Sequence, residues 1–197
     1  LKKVAFVLGN GTSRKSINLS ELKQYGSVYG CNAIYREFLP DYLVAVDTKM
    51  IIELNKESVQ HRCSVWTNPN KAFSKMSGFN FFTPSKGWSS GPTALHMASD
   101  HGSDEIYILG FDYKGLGVNG EYVNNVYADT FNYKRSNERA TYFGNWLKQT
   151  TTTVQKFSKK RYIRVLGENV FVPNELSKLP NLTHISIEEF KKNFRIT

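Results

Sequence analysis

The chain is short of the groups that most enzyme chemistries lean on. Its 197 residues include two cysteines, Cys31 and Cys63, and four histidines. Two isolated cysteines make no disulfide framework, so a reducing, cytoplasmic compartment is the expectation. No apolar run approaches the ~20 residues of a membrane span. The first apolar run, closed by Gly9, is too short for the apolar part of a signal peptide. His96 and His101 lie roughly 140° apart around a helix, which rules them out as an i, i+4 metal pair. There is no Asp-x-Asp, the usual carboxylate pair for a sugar-nucleotide metal. Neither a Gly-Lys-Ser/Thr phosphate loop nor the third glycine of the dinucleotide fingerprint is present, position 14 being arginine.

Hydrophobic residues make up 40% of the chain, which excludes a disordered polymer and suffices for a core without staples. The net charge is +9, and it is unevenly spread. Residues 1–133 hold 13 Lys and Arg against 12 Asp and Glu, whereas residues 134–197 hold 13 against 5. A uniform excess would suggest a nucleic-acid coat; a local one is either a solvated helix face or a docking patch for an anionic partner beside the pocket.

Hydrophobic periodicity alternates between strand and helix. Strands are expected at Lys3–Leu8, Ser27–Cys31, Tyr42–Val46, Ser64–Thr67, Phe79–Thr83, Glu105–Leu109, Tyr162–Leu166 and Thr183–Ser186. Helices are expected at Leu19–Tyr25, Thr48–Glu57, Ser90 to about His101, Asn137–Phe157, Pro173–Leu176 and Ile187–Phe194. Residues 113–135 have no clear period and read as a long loop or lid. The repeated β-α-β order predicts one α/β domain over residues 1–197, with a mostly parallel sheet flanked by helices.

Five polar segments fall at strand or helix ends, where open α/β sheets bind ligands. Gly9-Asn10-Gly11-Thr12-Ser13 follows the first strand; its glycines allow close backbone approach, and free N–H groups there suit an anion. Gly30-Cys31-Asn32-Ala33 offers an amide for a base edge or sugar hydroxyl, or an ordinary Asn turn. Asp47 follows Leu43-Val44-Ala45-Val46, either as a ligand or acid–base carboxylate or as a helix cap. Trp88-Ser89-Ser90-Gly91-Pro92 opens a helix, where Ser90 serves an anion or simply caps. Gly110-Phe111-Asp112 precedes a loop carrying Tyr113, Tyr122, Tyr127 and Tyr133. Five such punctuations exceed what packing requires and point to a ligand site.

Taken in order, Val4-Ala5-Phe6-Val7-Leu8-Gly9-Asn10-Gly11-Thr12-Ser13, Gly30-Cys31-Asn32, Ser89-Ser90-Gly91 and Glu105-Ile106-Tyr107-Ile108-Leu109-Gly110-Phe111-Asp112 resemble the bacterial sialyltransferases of glycosyltransferase family 42. Tyr127-Ala128-Asp129-Thr130 resembles their lid segment with one residue deleted, so the likeness spans about residues 3–130. It implies a Rossmann-like, GT-A-like domain that binds a CMP-linked nucleotide-sugar without a metal and passes the sugar to an acceptor glycan or other hydroxyl compound. By the same likeness, Gly9, Asn10, Gly11, Thr12 and Ser13 form the nucleotide and phosphate loop. Asn32 holds the cytidine or sugar, Ser89, Ser90 and Gly91 meet the donor's sugar or carboxylate, and Asp112 meets the ribose or base. Tyr127 stabilises the leaving phosphate, and Lys114 replaces the lid's first tyrosine. The family's catalytic histidine has no counterpart: Phe131–Thr141 contains none, and Asn132, Tyr133, Lys134 and Arg135 stand there. Asp47, Asp129 and His96 are the remaining candidates for a base. A nucleotide- or nucleic-acid-binding protein without transfer chemistry is the alternative, and pterin pyrophosphokinase-like phosphoryl transfer a third. The oligomeric state is left open.

Overall fold

A computed structural model describes residues 1–197. Eight strands form one all-parallel sheet: β1 Val4–Leu8, β2 Ser27–Cys31, β3 Tyr42–Val44, β4 Ser64–Thr67, β5 Asn80–Phe81, β6 Glu105–Leu109, β7 Arg161–Leu166 and β8 Leu182–Ser186. Their order is β5-β4-β3-β2-β1-β6-β7-β8. The chain therefore works outward from β1 to one edge, returns, and works outward again from β6. The reversal falls between β1 and β6, which run in register from Val4 beside Glu105 to Leu8 beside Leu109. Connections leaving the two strands diverge there, and a crevice opens at their carboxyl ends. This is the α/β, Rossmann-like architecture expected from the alternating pattern.

Side chains alternate across β1 into two cores. Phe6 and Leu8 join a cluster with α1 (Thr48–Lys56) and α5 (Ile187–Phe194), through Met50, Ile51, Leu54 and Phe190. Ala5 and Val7 join the other cluster, with α2 (Ser90–Asp100), α3 (Gly144–Lys156) and α4 (Asn174–Ser177). Fully burying an aliphatic or aromatic side chain contributes about 1.5–3 kcal/mol. The strands, buried on both faces, accordingly read as near-continuous apolar runs.

Two expected helices differ from the structure. Leu19–Gln24 is a 3-10 turn, as are Thr12–Ser16 and Asn32–Arg36. The long helix begins at Gly144 rather than Asn137, because the preceding backbone pairs elsewhere: Val123 N–H donates to Glu138 O at 3.2 Å and Ala140 N–H to Glu121 O at 2.8 Å. Residues 113–135 contain no helix or strand, but the segment is tied down. Val126 N–H donates to Asn10 O, Asn132 Nδ2 to Glu53 Oε2, and Ala33 N–H to the Tyr133 hydroxyl.

The cations of the Lys156–Arg161 stretch do not lie beside the crevice. Lys156 ends α3, Lys159 and Lys160 precede β7, and Arg161 opens it, so these cations sit where strands begin. The crevice lies where they end. Arg161 is paired with Glu105, and Lys160 Nζ donates to Ser103 O. Arg164 is not on the surface: it is buried in β7, donating to Phe111 O and Phe171 O with its guanidinium over the Tyr113 ring. No helix is long and apolar enough to cross a membrane.

Candidate functional site

Glycine at two positions lets the ends of β1 and β6 touch. Gly110 has φ +70°, and a Cβ there would lie 2.5 Å from Gly9 O; a Cβ on Gly11 would lie 2.4 Å from the Asp112 carboxylate. Gly9 N–H donates to Leu109 O at 2.8 Å and Gly11 N–H to Gly110 O at 2.9 Å. The loop then turns into the Thr12–Ser16 helical turn.

The expectation of free N–H groups on this loop is corrected by the structure. Ser13 N–H donates to Asp112 Oδ2 at 3.1 Å, and the Ser13 hydroxyl donates to Oδ1 at 2.5 Å. Thr12 N–H and hydroxyl both donate to Asn124 Oδ1. The buried carboxylate of Asp112 thus occupies the place that an anionic ligand would take at this turn.

Arg14, which broke the dinucleotide fingerprint, is the loop's internal brace. Its side chain is 2% exposed. Nε donates to Gly9 O at 2.7 Å, and Nη2 reaches Asn10 Oδ1, the Tyr127 hydroxyl and, at 2.8 Å, Glu37. Asn10 Nδ2 donates to Cys31 O, so both ends of that amide are spent joining the β1 loop to the end of β2. Burial pushes the Cys31 thiol up to about 12, which leaves it protonated and inert. The Tyr127 hydroxyl donates to Glu37 Oε1 at 2.5 Å, and burial raises its pKa.

A cleft of about 260 Å³ lies over the ends of β1, β2, β3 and β6. Gly9, Asn10, Gly11, Asn32, Asp47 and Ser89 line it. So do Ser90, Gly91, Asp112 and Lys114. Residues from all five polar segments therefore meet. Thr12 and Ser13 face a neighbouring cleft instead. Tyr127 and Asp129 are not brought to either: Tyr127 is held on Arg14 and Glu37, and the exposed Asp129 accepts from Ser136 N–H. His96 also lies elsewhere, between the Trp88 and Phe157 rings and 3.4 Å from Lys156 Nζ. Burial, then Lys86 and Lys156, lowers its pKa to about 4.

The groups left with spare capacity are few. Asn32 has φ 54°, and its Oδ1 is buried without a hydrogen-bond partner. A buried polar atom in that state costs free energy until a donor reaches it. Asp47 stands at the cap position of α1, yet its side chain makes no cap bond and is exposed to the cleft. Ser90 is not the cap of α2; its hydroxyl accepts from Val46 N–H at 3.2 Å and ties the helix to the end of β3. The cap position is Ser89, whose hydroxyl makes no cap bond; Pro92 has no N–H and Thr93 N–H donates to Ser89 O, so the N–H groups of Ser90 and Gly91, two residues of the cleft lining, are the ones left without a capping side chain. Lys114 is exposed at the cleft's edge, its Nζ 5.5 Å from the Phe171 ring. Sequence reasoning passed over Trp146, Asn124 and Asn125, which also line the cleft; only their tertiary position marks them.

A third hollow, of about 330 Å³, continues from Asn32 and Asp47 to Asn132 and Tyr133. Asn132 is fixed there by Glu53. Burial works against the Glu53 carboxylate, but donors from Tyr35, Arg36 and Asn132 hold it below the usual range. No three His, Cys, Asp or Glu side chains converge as metal ligands.

No family model matches the chain, and no curated protein or solved structure does either. The geometry of the cleft therefore carries the functional reading.

Proposed function

We propose that the protein binds a nucleotide-sugar in this cleft, a CMP-linked donor being favoured by the motif series, and transfers the sugar to a hydroxyl. The observation that carries the reading is the meeting, in one cleft, of three unspent groups of different chemistry. The orphaned amide of Asn32 matches a base edge or sugar hydroxyl. The uncapped start of α2, with Lys114 nearby, matches a phosphate or carboxylate. The free carboxylate of Asp47 matches a general base.

In this reading the acceptor oxygen attacks the anomeric carbon as its proton passes to Asp47. The bond from that carbon to the phosphate oxygen breaks, and CMP leaves with the electron pair. Negative charge grows on the phosphate, where the α2 N-terminus and Lys114 stabilise it. The phosphate contact moves from the Gly9–Ser13 loop and Tyr127, whose hydrogen-bonding groups are already engaged, to the far side of the cleft.

The test is release of CMP from a CMP-sugar by the purified protein. Asp47→Asn is expected to lower the rate by about 10²-fold or more, with CMP affinity nearly unchanged. Release that is indifferent to Asp47 removes the base assignment. Binding of CMP without release in the presence of any acceptor supports the alternative of a nucleotide-binding protein without transfer chemistry.

A further inference from the structure

A second cavity, of about 630 Å³, is larger than the cleft just described. It opens on the other side of the Gly9–Ser13 loop, over the ends of β7 and β8. Part of its lining is polar, from Thr12, Ser13, Ser16, Asp112 and Asn124, and part is apolar, from Leu116, Val118, Val170 and Phe171. Asp112, Lys114 and Asn124 line both cavities and form the wall between them.

Charge narrows what this cavity takes. Lys15 and Lys114 face Asp112, Glu168 and Glu188, a formal balance of −1. The start of α5 adds no pull on an anion, since Ser186 caps it by accepting from Glu189 N–H and Glu188 and Glu189 fill its first turn. A polyanion is disfavoured on both counts. The apolar lining is open to solvent: Val118 is 97% exposed and Leu116 is 45% exposed, on a turn closed by the Leu116–Tyr122 pairing. A cavity lined by both polar and apolar side chains suits a ligand with both characters.

We propose that this second cavity binds an uncharged amphiphile, its hydroxyl-bearing head on Ser16 and on the Thr12 and Ser13 hydroxyl oxygens, whose donors are spent within the protein but whose spare lone pairs accept, and its apolar part against Leu116, Val118 and Phe171. Asp47, the proposed base, does not line this cavity, so the cavity's ligand is a separate one and the binding site does not rest on the transferase reading.

Calorimetry with methyl β-glucoside and hexyl β-glucoside, the latter below its micelle concentration, tests the site without nucleotide. Hexyl glucoside is expected to bind at least about tenfold tighter than methyl glucoside. Val118→Asp should erase that preference. Ser16→Trp, at an exposed position of the polar lining, should abolish binding of both while the melting curve and the response to CMP persist. Inorganic phosphate should not compete. Equal affinity for the two glucosides, hexyl binding that survives Ser16→Trp, no binding of either, or displacement by phosphate would each overturn the proposal. If the glucosides behave as expected and CMP does not bind, the transferase reading falls and the amphiphile site stands. If CMP binds and neither glucoside does, the reverse holds.

Discussion

The Ser13 hydroxyl donates to Asp112 Oδ1 at 2.5 Å while the Ser13 N–H reaches Oδ2 at 3.1 Å, so one carboxylate closes the turn that follows β1. A Gly-rich turn that looks from its residues like an anion cradle is therefore filled by the protein's own anion. This explains why Gly11 is needed, since any side chain there meets that carboxylate.

The first prediction follows from that contact. Asp112→Ala leaves the Ser13 donors unpaired in a half-buried site and should lower stability by about 1–3 kcal/mol. It also vacates the anion position. Phosphate should then raise the melting temperature of the variant more than that of the parent protein. Equal phosphate shifts in the two would mean that Asp112 does not occupy the anion position.

Arg14 separates bracing from ligand contact. Arg14→Met removes donors from Gly9 O, Asn10, Tyr127 and Glu37 together. The expected loss is roughly 3 kcal/mol in urea unfolding, below the full value for a buried pair because Glu37 is half exposed. Tyr127→Phe should cost only about 1 kcal/mol and leave CMP affinity unchanged. A large affinity loss in Tyr127→Phe would return that hydroxyl to the ligand.

A pH dependence follows from His96. Its pKa is lowered by burial, then by Lys86 and Lys156, from about 6.5 in the unfolded chain to about 4 when folded. Between these values the unfolded state binds the extra proton, so stability falls as pH drops from about 6.5 to about 4. His96→Phe should flatten the melting-temperature slope across that window. His101 and His184, also lowered by burial, retain part of the slope. An unchanged slope in the variant would show that His96 is not held neutral.

Much of this architecture is legible in the residues. The runs Val4–Leu8 and Glu105–Leu109 sit in the middle of the sheet, and apolar runs of that kind read as buried strands whatever their partners. Asn32, Asp47, Ser90 and Asp112 stand out because polar residues at strand ends need a reason. What the chain does not announce is who bonds to whom. Asn10 and Asn32 are the same residue type after adjacent strands, yet one spends its amide on Cys31 and Arg14 while the other keeps an orphaned oxygen. Arg14 looks like a mere departure from a glycine pattern until Glu37 and Tyr127 close around it. The late start of α3 has the same origin: local propensity favours helix from Asn137, and pairing with Glu121–Val123 overrides it.

The account turns on Asn32. Its φ of 54° suits glycine as well as asparagine, so Asn32→Gly removes the amide without straining the backbone. The decisive measurement is the melting temperature of parent and variant with CMP in the presence of EDTA. A ligand at a hundredfold excess over its Kd stabilises the folded state by about 2.7 kcal/mol. The parent protein should melt higher with CMP, and Asn32→Gly should melt at the same temperature with and without it. No shift in the parent with CMP or any common sugar nucleotide, or an equal shift in Asn32→Gly, would contradict the account.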